Sequence, residues 1–208
     1  MTSLLSLGIA LIPDSIGIEY LVKLNRAIQE VYPSSFILED GQSLLPHISL
    51  FQGQFELNRL DTITKTIETT WGSLKTPLII KSNGLNLWLN KIFFLDLEIT
   101  ERLKFLQNSI IDSIDPLRAR NSGSADPQKL EGLNKKEKVS INHYSYPFAG
   151  PAFRPHFTMG RIEKPSNDQN LQAWIRKHPI PAEFKFERFV LFDVGMYGTL
   201  EKIRFQTQ

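Results

Sequence analysis

The chain spells one phrase twice. Residues 44–53 read LLPHISLFQG and residues 153–162 read FRPHFTMGRI. In each copy Pro precedes His, an apolar residue follows, then a hydroxyl residue, then Leu or Met. Side chains alternate faces along a strand, so His47 and Ser49 share a face, with Phe51 beyond them. His156 and Thr158 likewise share a face with Gly160, while Phe157 and Met159 take the other. The proline before each His suits a strand start, because it cannot donate a ladder hydrogen bond there. The two copies lie about half a chain apart. This spacing predicts a two-lobed molecule with one motif per lobe, the first on a strand at 47–53 and the second on a strand at 156–163.

The elements around the copies alternate in period. Residues 3–12 form an apolar run that predicts a central strand. Asp14 or Ser15 then caps a helix with the stripe Ile18, Leu21, Ile28 and Val31, which Pro33 stops. A short strand is expected in SFILED and a turn in DGQS. A second helix begins near Asn58 and carries Leu60, Ile63, Ile67 and Trp71 at steps of three and four. Two strands flank a turn at Asn90 and Lys91, and a third helix carries Leu103, Leu106, Ile110, Ile114 and Leu117. Residues 121–138 are polar, contain Gly and Ser and end in lysines, which predicts a flexible loop. The aromatic loop HYSYPFAGPAFRP leads into the second motif. Ser166 or Asn167 caps a last helix with Leu171, Trp174 and Ile175. Two long strands, 184–194 and 200–205, close the chain. Hairpin neighbours among interleaved helices predict a mixed α+β fold with antiparallel-rich sheets.

Composition narrows the function classes. The chain has 208 residues, enough for a single bilobal domain with a substantial core. A net charge of +2 is too small for non-specific nucleic-acid binding, although it leaves room for a local basic pocket. With no cysteine, disulfides, thiolate nucleophiles and thiolate metal sites are excluded. The apolar N-terminal run lacks a basic leader and is interrupted by Asp14, so it reads as a strand and not as a signal peptide. No apolar run approaches the ~18 residues of a membrane helix. The expectation is a soluble, cytoplasmic protein with no membrane association and no obligate protein partner.

Two facing strands of this kind would assemble two imidazoles and two hydroxyls. Imidazole titrates near pH ~6.5, so one ring can be neutral and the other protonated near neutrality. The neutral ring can take a proton from water and the protonated ring can give one to a leaving oxygen. Ser49 and Thr158 can donate hydrogen bonds to phosphate oxygens as charge builds. That set is complete for opening a cyclic phosphodiester, with no cofactor and no metal. Tyr144, Tyr146, Phe148 and Arg154, in the loop before the second motif, either stack a nucleobase or anchor the loop.

The motifs PHISLF and PHFTMGRI resemble those of the two-histidine phosphoesterases, the superfamily of 2′–5′ RNA ligase-like proteins and RNA 2′,3′-cyclic phosphodiesterases. The resemblance implies two related α+β lobes, helices outside, with the motifs facing across a central cleft. It implies metal-independent hydrolysis of a 2′,3′-cyclic phosphate or 2′–5′ bond, on an RNA terminus or a small cyclic nucleotide, with reversible ligation as a variant. By motif position it implies His47 and His156 as acid and base, and Ser49 and Thr158 as phosphate holders. Arg161 matches a position where members carry a basic residue, but strict alternation puts it off the His face. Phe51, Tyr144 and Arg154 complete the candidate substrate-binding set.

Other readings stand beside this one. A lone strand histidine is more often structural, and only the doubling lifts His47 and His156 above that. His143 in HYS lacks the preceding Pro and a strand behind it, and is read as a decoy. His178 sits at a helix end, where a dipole contact is the plain explanation. Trp71, Trp88 and Trp174 read as packing residues. The lysines at 129, 135, 136 and 138 read as a solvated loop. A non-catalytic nucleotide- or RNA-binding module on the same fold is the main alternative. A metal hydrolase built on His47, His143 and His156 is a second, although Asp40 and Asp193 show no ligand-like spacing.

Overall fold

The computed structural model describes residues 3–33, 37–41, 43–74, 77–119, 131–162 and 169–207. Its strands are β1 (Leu4–Pro13), β2 (Ile48–Glu56), β3 (Leu78–Trp88), β4 (Ile92–Leu97), β5 (His156–Arg161), β6 (Glu183–Val194) and β7 (Leu200–Gln206). Its helices are α1 (Ser15–Val31), α2 (Leu60–Gly72), α3 (Glu101–Ile114), α4 (Lys135–Tyr144) and α5 (Gln169–Lys177). The fold is mixed α+β, with antiparallel pairing throughout.

The two lobes share a strand. The sheet runs β2-β1-β6-β3-β4-β5, with β7 also on β6. One edge of β6 takes β1; the other takes β3 near Phe184–Phe186 and β7 from Val190 onward. The antiparallel strands of both lobes thus join in one seven-stranded sheet. The motif strands β2 and β5 are its two ends.

Local chemistry sets the elements. Asp14 caps α1, its Oδ1 accepting from the Gly17 amide at 2.8 Å, and Thr100 caps α3 in the same way. The stripes of α1, α2 and α3 are buried at Ile18, Leu21, Ile28, Ile63, Ile67, Leu103, Leu106, Ile110 and Ile114. Val31, expected on the stripe, is half exposed because α1 ends there. The β3–β4 hairpin turns on Leu89 and Asn90, one residue earlier than expected, with φ of 52° and 55°. Left-handed backbone at both positions matches the strand twist. Phe157, Phe184, Phe186, Phe189 and Phe192 fill one continuous core with the aliphatic side chains of β1 and β6.

Three local expectations change. Residues 37–41 carry no strand; Leu38 instead donates its amide to Asn25 Oδ1. The lysine-rich end of the expected loop is the start of α4, held by a capping box between Asn134 and Glu137. His143 and Tyr144 accordingly lie in a helical turn and not in a loop. Residues 120–130, the residue 129 lysine and the cap at 166 or 167 lie outside the described residues.

Candidate active site

The two motif histidines are held identically. His47 Nδ1 bonds the Leu45 carbonyl at 2.8 Å, and His156 Nδ1 bonds the Arg154 carbonyl at 2.7 Å. Each acceptor lies two residues before its ring. A carbonyl can only accept, so Nδ1 carries the proton and Nε2 is the atom turned to other partners. Ser49, His156 and Thr158 line one cleft of about 270 Å³. His47 lines an adjoining recess that shares Thr158, Tyr197 and Gly198 with the cleft.

The strands do not keep strict alternation. In β2, Ser49 faces Ala10 and Phe51 faces Ile9, which leaves Leu50 as an extra residue. In β5, Thr158 faces Phe94 and Gly160 faces Phe93, which leaves Met159 extra. Each motif thus has a β-bulge immediately after its hydroxyl residue, and a bulge reverses the facing of everything beyond it. Phe51 turns into the core, fully buried and edge-on to Tyr144. Gln52 takes its place in the cleft and donates to Ser49 Oγ at 3.0 Å. The same reversal brings Arg161 into the cleft, contrary to the alternation argument.

A bulge leaves a carbonyl out of the ladder. Here each carbonyl is taken by a buried amide from a helix. Asn25 in α1 donates to the Met159 carbonyl at 2.7 Å. Gln107 in α3 donates to the Leu50 carbonyl at 3.1 Å and to the Phe148 carbonyl at 2.9 Å. Both amides are fully buried. Gln107 Oε1 has no partner among the described residues, a cost accepted where its Nε2 is needed.

The remaining candidates separate. Arg154 makes a bidentate pair with Asp96 at 2.8 and 2.7 Å and lies over Phe94, outside the cleft lining. This pairing ties the segment before His156 to β4. Tyr144 faces a different groove, with Lys104 and Lys136. His143 packs on Tyr144, and His178 bonds the Trp174 carbonyl and stacks on its ring. Among the described residues no three His, Cys, Asp or Glu side chains gather as a metal-binding group.

Several cleft residues escaped the sequence reading. Trp88, read as packing, stacks on Phe94 and lines the cleft. Phe94 stacks on His156 with centroids 3.7 Å apart. Tyr146, one of the loop aromatics expected to stack a base or anchor the loop, lines the cleft and bonds Ser49, its phenol pushed up by burial. Tyr197 comes from the β6–β7 connection. Gln52 carried no signal, since its facing depends on the bulge.

Burial lowers both imidazoles below the ordinary histidine value. For His156 this reaches about 4, with the nearby Arg154 and His47 charges adding to it, against the Arg154 carbonyl and Asp96. His47 is also lowered by burial, but two carbonyls, those of Leu45 and Gly198, act in the other direction.

No family model and no curated protein matches this sequence. Solved structures do. TT0787 of Thermus thermophilus is 15% identical with a TM-score of 0.59, over 97% of this chain and 96% of that one. E. coli LigT in apo form is 13% identical with a TM-score of 0.57, over 99% of this chain and 98% of that one. LigT complexed with 3′-AMP is 14% identical with a TM-score of 0.54 at the same coverage. Over nearly all of its length this chain has the fold of TT0787 and LigT.

Proposed function

We propose that this protein is a phosphoesterase that opens a 2′,3′-cyclic phosphate, or cleaves a 2′–5′ phosphodiester, on an RNA terminus or nucleotide. One observation carries the reading. Two imidazoles, each tied through Nδ1 to the carbonyl two residues back, flank two hydroxyls at one cleft and its recess. His156, whose imidazole burial holds neutral at ordinary pH, takes the proton from water as its oxygen bonds to phosphorus. The bond from phosphorus to the ester oxygen breaks, and His47 delivers its Nε2 proton to that oxygen. Ser49, Thr158 and Arg161 donate to the phosphate oxygens as charge accumulates. Trp88, Phe94 and Phe148 offer aromatic surface to a base. The crystallised complexes of LigT with 3′-AMP, NADP+ and phosphate support a nucleotide phosphate as ligand for this fold.

The test is hydrolysis of nucleoside 2′,3′-cyclic monophosphates and of a short RNA with a cyclic end, in the presence of chelator. Turnover by the wild type that disappears in His47→Ala and His156→Ala supports the reading, and the phosphate isomer released identifies the leaving oxygen. Turnover that survives in either variant, or that needs added metal, overturns the mechanism.

A further inference from the structure

We propose that Tyr197 is a positioning residue for Arg161, holding its guanidinium plane at the phosphate subsite; the inference rests on the phosphoesterase reading above. Tyr197 has φ 61° and ψ 20°. An aromatic residue rarely adopts this left-handed backbone, and such outliers persist where the surrounding structure demands them. Core packing is not that demand, since the side chain is 45% exposed. Its ring has another occupation. The guanidinium carbon of Arg161 lies 4.3 Å from the ring centroid, well inside the range of a cation–π contact.

The contact answers a problem that the bulge creates. Met159 turns Arg161 toward the cleft, but an arginine has a long flexible stem and many rotamers. Stacking on a fixed ring occupies the face of the planar guanidinium and so orients its N–H edge, the part that bonds an anion. The residue after Tyr197 lies against β2. Gly198 packs so closely on Gln52 that a Cβ there would lie 3.3 Å from Gln52 Nε2. The loop between β6 and β7 therefore spans the two side chains that the two bulges deliver, Gln52 and Arg161. Tyr197, Arg161, Ser49, Thr158 and His156 all line the same cleft.

The test measures inorganic phosphate binding to the full chain by calorimetry, beside KM and kcat for a cyclic nucleotide. Tyr197→Phe keeps the ring and should bind phosphate within about 2-fold of wild type. Tyr197→Leu, and Tyr197→Asn, whose side chain tolerates left-handed backbone, should each weaken phosphate binding about 3- to 10-fold and raise KM more than they lower kcat. In an Arg161→Gln background, Tyr197→Leu should cost almost nothing, because the partner it positions is gone. Wild-type phosphate affinity in Tyr197→Leu, or an undiminished cost in the Arg161→Gln background, overturns the role of Tyr197 alone. A wild type that binds no phosphate at millimolar concentration overturns the phosphate-cleft reading together with it.

Discussion

The two motif strands are built alike and surrounded differently. β2 begins at Ile48, just after the Pro46–His47 pair, and β5 begins at His156, just after Pro155; each motif braces its histidine on the carbonyl two residues back and bulges after the hydroxyl residue. Each bulge carbonyl is capped by a buried helix amide. The surroundings then diverge. His47 sits between two carbonyls. His156 is stacked on Phe94 and edge-on to Phe148, with one carbonyl and the Asp96–Arg154 pair behind it. The bulge delivers neutral Gln52 on one side and cationic Arg161 on the other. Repetition supplies the paired groups, and the neighbours give the two imidazoles different surroundings.

The most severe break is removal of either ring. His47→Ala and His156→Ala should each lower kcat/KM by about 10²–10⁴-fold in steady-state assays. If one variant alone loses activity, the two strands are not partners in acid–base work.

Acid should act on the buried rings next. His156 is neutral in the folded protein down to about pH 4, whereas an unfolded histidine protonates near 6.5. The unfolded state then binds more protons in that window. Stability is fully present above pH 6.5 and falls as pH drops toward 4, by about 3 kcal/mol from this buried ring. The unfolding free energy of wild type minus that of His156→Gln, from urea titrations, should shrink by that amount between pH 7 and pH 4. His47→Gln should show a change of the same sign, since burial lowers that ring too. No change in either variant would mean that burial does not lower these rings.

The two amides offer a finer comparison. Asn25→Leu orphans the Met159 carbonyl and the Leu38 amide together, which should cost about 2–3 kcal/mol in chemical unfolding. Gln107→Leu orphans two carbonyls but removes an unsatisfied Oε1, so about 1 kcal/mol is expected. The smallest effect belongs to Gln52→Leu. It removes one donor to Ser49 Oγ and should raise KM only a few-fold, while Arg161→Leu raises it about tenfold or more. Equal KM values would mean that the charge difference between the strands is idle.

Legibility followed range along the chain. The Asp14 cap, the stripes of α1 to α3 and the long β6 and β7 strands could be read because caps and periodicity involve residues within a few positions of one another. So could the shared face of His156 and Thr158, which holds over a single alternation. Beyond the bulges the same rule misplaced Phe51 and Arg161. Arg154 looked like an anion-binding loop residue until Asp96, in a strand far away in sequence, claimed it. Tyr144 looked like loop aromatic surface until α4 carried it to the outer groove.

By itself the sequence determined which groups come in pairs, since a Pro–His start and one alternation put an imidazole beside a hydroxyl wherever such a strand forms. Only the tertiary structure decided where alternation breaks, because a bulge is a property of two paired strands and of the amide that satisfies the freed carbonyl. Asn25, Gln107, Ile9 and Phe93 are remote in sequence from the motif residues they control. Their contacts turn two short similar phrases into one cleft with two different sides.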